Sequence, residues 1–349
     1  MYAPTVSVLM SVYNGEKYLK AAINSILNQT FKDFEFIIIN DGSKDNSVNI
    51  LNSYKDKRIK LIHNETNMGL PKSLNIGLNL STGRYLARMD SDDISFPQRL
   101  ESQVTYMNNN PDISLCGTWI KCVNELNNCI SIQKYPVRHE EIKSMMFWKV
   151  GVSHPSVMFK RKDFLDNNLY YDESFICSQD YELWVRALQY IKFSNIPKVL
   201  LARRCGNHQL GSKLQSIQQK NACIVRERQL YAIGINPTEE EKKIHALIMM
   251  PKDLHTTLQL SKIGRWLMQI KGANWQHKIY CEPYFSNQLS ELWFECCYCG
   301  AANGNWAWRL LLESPLYDKK VIKLRSLAKF IVKFLEKWPR EFEHEVGHK

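Results

Sequence analysis

Four short apolar runs, alternating with helix-forming stretches inside the first 93 residues, leave few topologies open to this chain. Thr5 to Val12, Phe34 to Ile39, Ile59 to His63 and Tyr85 to Met89 have the composition of β-strands. Lys17 to Leu27 places Leu19, Ile23, Ile26 and Leu27 on one helical face, and Val48 to Tyr54 forms a second helix. A third opens near Pro71, whose fixed φ suits a first helical position. This β-α-β-α-β-α-β order predicts an α/β fold with a doubly wound, mostly parallel sheet flanked by helices. Such sheets bind ligands beyond the carboxyl ends of their strands. Tyr13, Asp41 and the run Asp90-Ser91-Asp92-Asp93 fall at that edge, after strands one, two and four.

The 349 residues suffice for two domains at about 150 residues each. From Pro97 to about Ser212 helix and short strand mix; beyond that the pattern is mainly helical. Helices are expected over Lys213 to Tyr231, Glu239 to Met250, Leu254 to Met268, Ser290 to Cys297 and Asn305 to Leu312. No apolar run approaches the roughly 18 residues that cross a bilayer. The amino terminus shows neither the basic nor the apolar region of an export signal, so a cytoplasmic setting with free thiols is expected for the ten cysteines. Cys296-Cys297-Tyr298-Cys299, with Cys281 and His277 nearby, lacks paired C-x-x-C elements and reads as buried thiols rather than a zinc site. Trp306 to Trp308 reads as helix packing.

The net charge is +11. Much of it is local, because Lys319 to Arg340 holds eight basic residues and one acidic residue, Glu336. Within this stretch Leu324, Leu327, Ala328, Ile331, Leu335 and Trp338 recur at helical spacing, and Lys329, Lys333 and Lys337 line another face. A basic amphipathic helix over 319–340 fits an anionic membrane surface. The other arrangement is a terminal helix docked on the protein with its basic face in water. No nucleic-acid motif or broad basic face is present, so nucleic acid is not an expected partner.

Three carboxylates within four residues repel one another, and a cation ordinarily compensates them. All-oxygen ligands select Mg²⁺ or Mn²⁺, which complete their shells with phosphate oxygens. The competing role is structural, with Asp93 capping a helix that starts near Pro97. Taken alone, Asp180 is a helix-start carboxylate before Leu183 to Leu188, and His154 is a lone histidine of the usually structural kind.

In ordered succession, VSVLMSVYNGEKY (6–18), SILNQTFKDF (25–34), INDGS (39–43), GRYLARMDSDD (83–93), Pro97-Gln98-Arg99-Leu100-Glu101, SHPSVMF (153–159) and QDYELWVRA (179–187) resemble the family 2 inverting nucleotide-sugar glycosyltransferases. The resemblance covers about 1–212 and implies a GT-A fold, with a nucleotide-binding half over 1–95 and an acceptor half over 96–212. It leaves 213–349 as a helical C-terminal region. It also implies that Ser11, Tyr13, Glu16 and Asp41 hold the nucleoside, with Arg88 near the sugar diphosphate and Ser91 among the nucleotide-sugar contacts; Lys72 is set beside Arg88 as our own assignment. Asp90 and Asp92 form the Asp-x-Asp element, with Asp92 the direct ligand of Mn²⁺ or Mg²⁺ and Asp90 turned toward the ribose. Asp180 matches the catalytic base and follows Gln179. His154 lies on the acceptor side.

Arg204 and His208 fall in ARRCGNHQLGS, which departs from the Arg-x-His-x-x-Gln-x-Ser loop of relatives. Aligning Gln209 leaves Arg204 in register and puts Gly206 at the histidine position. The implied activity moves one sugar from a UDP-linked donor to a hydroxyl of a glycan acceptor. A basic tail on such a domain points to a lipid-linked acceptor at the inner face of the plasma membrane. Relatives of this length build O-antigen or capsule. A nucleotidyltransferase would need a Gly-rich basic loop after strand one, where Ser11 to Glu16 stands instead. A non-catalytic glycan- or nucleotide-binding protein on the same scaffold would be free to lose Asp92 or Asp180, and both are present.

Overall fold

The structure is a computed structural model that describes residues 3–205, 214–254, 256–301 and 306–335. It forms two compact units, Met1–Val225 and Arg226–Lys349. The first unit begins with β1 (Val6–Val12), α1 (Leu19–Leu27), β2 (Phe34–Asp41), α2 (Ser47–Asn52), β3 (Ile59–Asn64), α3 (Leu70–Leu80) and β4 (Tyr85–Asp90). β1 pairs in parallel with β2 and β4, and β2 pairs in parallel with β3. The sheet expected from the alternating pattern is therefore present in this half. Every residue of β2 is buried, which accounts for a mostly apolar run interrupted by Glu35.

The second half adds β5 (Ile94–Ser95), α4 (Arg99–Asn109), β6 (Ile113–Val123), β7 (Cys129–Gln133), α5 (His139–Met146), β8 (Met158–Lys160), α6 (Arg161–Asp166), α7 (Gln179–Ala187) and β9 (Lys192–Arg204). β8 runs antiparallel between β4 and β6, β5 runs antiparallel to β9, and β7 runs antiparallel to β6, while β6 and β9 are parallel. The first half is thus wholly parallel and the second half mixed, with β6–β9 its parallel pair. Antiparallel neighbours need no helical crossover, and β6 turns directly into β7.

Two apolar layers cover the sheet. Val6, Val8, Met10 and Val12 of β1 point into one, with Leu19, Ile23 and Ile26 of α1. Leu9, Ile37 and Ile39 point into the other, with Leu74 and Leu78 of α3 and Trp184 of α7.

Two buried polar side chains fix the end of β4 from behind. Gln29 donates to Phe96 O at 2.8 Å and Ser95 Oγ at 3.2 Å, and its Oε1 accepts from Leu100 N at 3.0 Å. Arg99, fully buried, donates through Nη2 to Arg88 O at 2.7 Å and Val157 O at 3.3 Å, and through Nε to Gln103 Oε1 at 3.1 Å. Burial pulls the Arg99 guanidinium down to about 10. Gly83 lets the start of β4 approach β1, since a Cβ there would lie 2.5 Å from Ser7 N.

The second unit is helical, as expected. After the helix α8 (Gln215–Ala232), in which the division between units falls, it comprises α9 (Glu239–Ile248), α10 (Thr257–His277), α11 (Tyr284–Gly300), α12 (Trp306–Glu313) and α13 (Leu324–Leu335). α9 and α10 open with capping boxes, Thr238 with Glu241 and Thr256 with Gln259. Cys296 and Cys297 are buried, and burial raises both thiols. In α13 Phe330 is buried against Trp308, Phe294 and Tyr298, at ring distances of 5.2, 5.9 and 6.0 Å. Ala328 and Ile331, on the apolar stripe read from the sequence, are exposed, as is Val332. Phe330, which lies outside that stripe, is the buried residue of this helix among those described, and Leu327 of the stripe is half-buried. Trp338, Lys337 and Arg340 lie outside the described residues. Among those described, no helix is long and apolar enough to cross a membrane.

Gln29→Ala removes four hydrogen bonds, the fourth being its donation to Ser25 O at 2.9 Å, and strands buried groups on Leu100 and Phe96. It is expected to cost about 2–3 kcal/mol in urea denaturation, with no selective loss of substrate affinity in the folded fraction.

Candidate active site

The carboxyl ends of β1 and β4 meet where Ser11 stands beside Asp90. Asp90 pairs with the Arg88 guanidinium, which is buried. Arg88 Nε and Nη1 have no hydrogen-bond partner among the described residues. Asp92 is half-buried; burial, and then the charge of Asp90, push its carboxyl up to about 6. Asp93 is buried, accepts Arg204 N–H at 2.9 Å through Oδ1, and leaves Oδ2 without a partner among the described residues. Burial and its two neighbours hold the Asp93 carboxyl well above the usual range. Ligand-capable oxygens of Asp90, Asp92 and Asp93 lie within 4.8 Å of one another. A hard divalent cation fits this donor set, relieving the repulsion and supplying the partner that Asp93 Oδ2 lacks.

Asp93 is not a helix cap. α4 starts at Arg99 after Gln98, without a side-chain cap, and Asp93 instead holds the end of β9. Arg204 completes that junction. Its Nε donates to Asp92 O at 3.1 Å, its Nη1 donates to Asn124 O and Glu125 O at 3.3 and 3.2 Å, and its guanidinium stacks 3.9 Å from the Tyr18 ring centre.

A further group comes from α7, where Asp180 feels the charges of Arg88 and Asp90. Ser178 takes a left-handed conformation with φ 59°, and Gln179 and Asp180 open the helix. Gln179 is buried. Asp180 is partly exposed, and its Oδ1 accepts Tyr181 N–H at 2.8 Å. Burial raises the Asp180 carboxyl, with Arg88 opposing that effect. α7 itself is pinned by Tyr181 Oη to Met146 O at 2.7 Å and by the Glu182–Arg186 pair. His154 is buried, with Nε2 2.9 Å from Tyr171 Oη. Burial and the nearby Arg88 charge hold the imidazole well below its usual range, so it is neutral. Tyr171 is clamped through its backbone to Asn75, at 2.9 Å in both directions. Tyr171 carries no motif signal of its own; only the fold brings it to His154.

A second group lies along the same edge. Asp41 is buried and accepts from Asn64 Nδ2 and Met68 N at 2.9 Å and from Gly69 N at 3.0 Å. Both its oxygens thus organise the turn before α3. Glu16 Oε2 accepts Asn46 N–H at 2.8 Å, and Glu16 N donates to Asp45 Oδ2 at 3.0 Å. Gly42, at φ +69°, passes so close to the 66–67 backbone that a Cβ would lie 2.5 Å from Thr66 C. These contacts stitch three loops into one rim. Tyr13 projects from it, 47% exposed. Ser91 Oγ lies 3.4 Å from where a Gly15 Cβ would sit. Lys72 is half-buried in the first turn of α3. His208 lies outside the described residues.

The fold resembles that of S. aureus TarS in its complex with UDP-GlcNAc, with a TM-score of 0.55 at 18% identity over 97% of this chain and 92% of that one. This is the GT-A fold. Residues 7–169 match the family described as glycosyl transferase family 2. Over 215 residues the chain is 43% identical to an uncharacterized glycosyltransferase of Methanocaldococcus jannaschii, covering 59% of this chain and 73% of the relative. It is 39% identical to the O-antigen biosynthesis glycosyltransferase WbnJ of Escherichia coli, covering 58% of this chain and 80% of WbnJ. The chain belongs to glycosyltransferase family 2 and is a transferase.

The raised Asp92 carboxyl sets a sign. Its proton-linked contribution to stability is present below about pH 4 and is lost as pH rises through about 6, where the buried carboxylate ionises without compensation. A divalent cation competes with that proton. Thermal melts are expected to show a Mn²⁺-dependent rise in Tm that shrinks severalfold between about pH 7.5 and pH 5.5, and Asp92→Asn should abolish it.

Proposed function

We propose that this enzyme transfers one sugar, with inversion, from a UDP-linked donor to a hydroxyl of a glycan acceptor. The reading rests mainly on one observation: the partly exposed Asp180 shares an electrostatic environment with buried Arg88 and the cation-fitting carboxylates at the end of β4. Asp180 serves as the base. Inverting transfer is a single displacement in which the acceptor hydroxyl loses its proton as it attacks. The raised Asp180 carboxyl is better matched to taking that proton than an ordinary surface aspartate. Arg88 offers its two unpartnered N–H groups to the donor's phosphate oxygens. The neutral His154, coupled to Tyr171, presents a polar but uncharged side to the acceptor. Asp92 and Asp90 would hold Mn²⁺ or Mg²⁺, which when bound neutralises the leaving diphosphate. Tyr13, Glu16 and the Asp41 turn frame the nucleoside, with Ser11, Ser91 and Lys72 beside them.

The name of WbnJ, an O-antigen biosynthesis enzyme, supports an acceptor in surface-polysaccharide assembly. The UDP-GlcNAc complex of TarS supports a UDP-linked donor. We further assign the basic amphipathic terminal segment, with Ala328, Lys329 and Ile331 exposed, to an anionic membrane surface, a reading that favours an acceptor on a lipid carrier at the inner leaflet.

Calorimetric titration with UDP is expected to show binding that requires Mn²⁺ and is lost in Asp92→Ala. The absence of UDP binding with or without metal would sink the donor assignment. Asp180→Asn should retain UDP binding while transfer falls by roughly 10²–10⁴-fold; unchanged turnover would remove Asp180 as the base.

A further inference from the structure

A second surface of the helical unit carries a feature that the transfer chemistry does not use. α10 buries Leu260, Ile263, Trp266, Leu267 and Ile270 on one face. Its opposite side presents Leu258, Arg265, Met268, Gly272 and Trp275, successive positions seven, three, four and three apart, which form one line along a helix. Trp275 is 73% exposed and Leu258 62%. The line is open, since a Cβ built at Gly272 meets nothing within 4 Å. An indole held out in water at the end of such a line marks an interaction surface rather than core packing.

Charge selects the occupant. Residues 257–278 contain Lys262, Arg265, Lys271, His277 and Lys278 and no aspartate or glutamate. Glu240 of α9 pairs with Lys262 at 2.5 Å, leaving Arg265 in the exposed line, with Lys271 and Lys278 near its end. A second copy docked symmetrically would bring these cations against their own kind. An anionic lipid surface meets both demands. Its phosphates attract the cations, and its headgroup layer is where tryptophan partitions best.

We propose that the exposed face of α10 is a lipid-contact surface for anionic membranes, additional to the terminal helix. It rests on the reading that the enzyme works at a membrane, and it places a contact outside residues 319–340. The test is co-sedimentation of the full chain with phosphatidylcholine vesicles, with and without phosphatidylglycerol. The variants are Met268→Ser with Trp275→Ser, Arg265→Glu with Lys271→Glu, and a tail variant carrying Lys329→Glu, Lys333→Glu and Lys337→Glu.

The expected result is that wild type binds only the anionic vesicles. Both α10 variants should lose about tenfold in partitioning, with Tm and UDP binding unchanged. Loss in the α10 variants with an unaffected tail variant would uphold this surface and remove the tail assignment. Loss in the tail variant alone would overturn this surface and keep the tail. Failure of wild type to bind anionic vesicles would overturn both. A dimer in lipid-free light scattering that becomes monomeric in the Met268→Ser, Trp275→Ser variant would overturn the lipid assignment in favour of self-association.

Discussion

The concentration of negative charge at the end of β4 is the constraint to which much of the first unit answers. Asp90, Asp92 and Asp93 are crowded and largely withdrawn from water, an arrangement that disfavours ionisation. The fold compensates from three directions. Arg88 approaches from within the same strand. The backbone N–H of Arg204 holds Asp93 from β9, a strand contributed by the other half of the unit. Arg99, itself buried, takes no carboxylate and instead grips the Arg88 and Val157 carbonyls, so that β4 cannot relax away from the charge. The compensation is incomplete, as the raised carboxyls of Asp92 and Asp93 record, and the remainder falls to a ligand.

Much of this was legible in the sequence. Strand ends follow from where apolar runs stop, and a parallel sheet carries its ligands at that edge. Tyr13, Asp41 and the Asp90 cluster could therefore be located from the first 93 residues alone. Motif residues such as Gln29 and Arg99 were equally visible, but the structure gives them framework duties: they bond backbone groups behind the site. Asp41 is intermediate. It stands at the ligand edge, yet both of its oxygens accept from the neighbouring turn.

What escaped the sequence depends on contacts between distant residues. Asp93 next to a helix looks like a cap; its actual partner lies 111 positions away in the chain. Tyr171 has no neighbouring motif and acquires meaning only when His154 is folded against it. In the terminal helix, periodicity correctly marks an amphipathic segment but not which apolar residue docks. Phe330 fills a space between Trp308, Phe294 and Tyr298, while Ala328 and Ile331 of the more regular stripe are exposed. Shape complementarity of one ring to an aromatic cluster is not encoded in local spacing.

The neutral His154 bears on how this enzyme's kinetics would be interpreted. Histidine is the usual suspect when a rate falls between pH 5 and 7. Here the imidazole is buried beside a guanidinium and stays uncharged across that interval, so it supplies no titrating limb. An inflection in kcat/KM in that range points first to Asp92, whose carboxyl burial has moved up to about 6, and burial raises Asp180 in the same direction. A profile resembling that of a histidine enzyme would therefore be the signature of an aspartate drawn partly out of water.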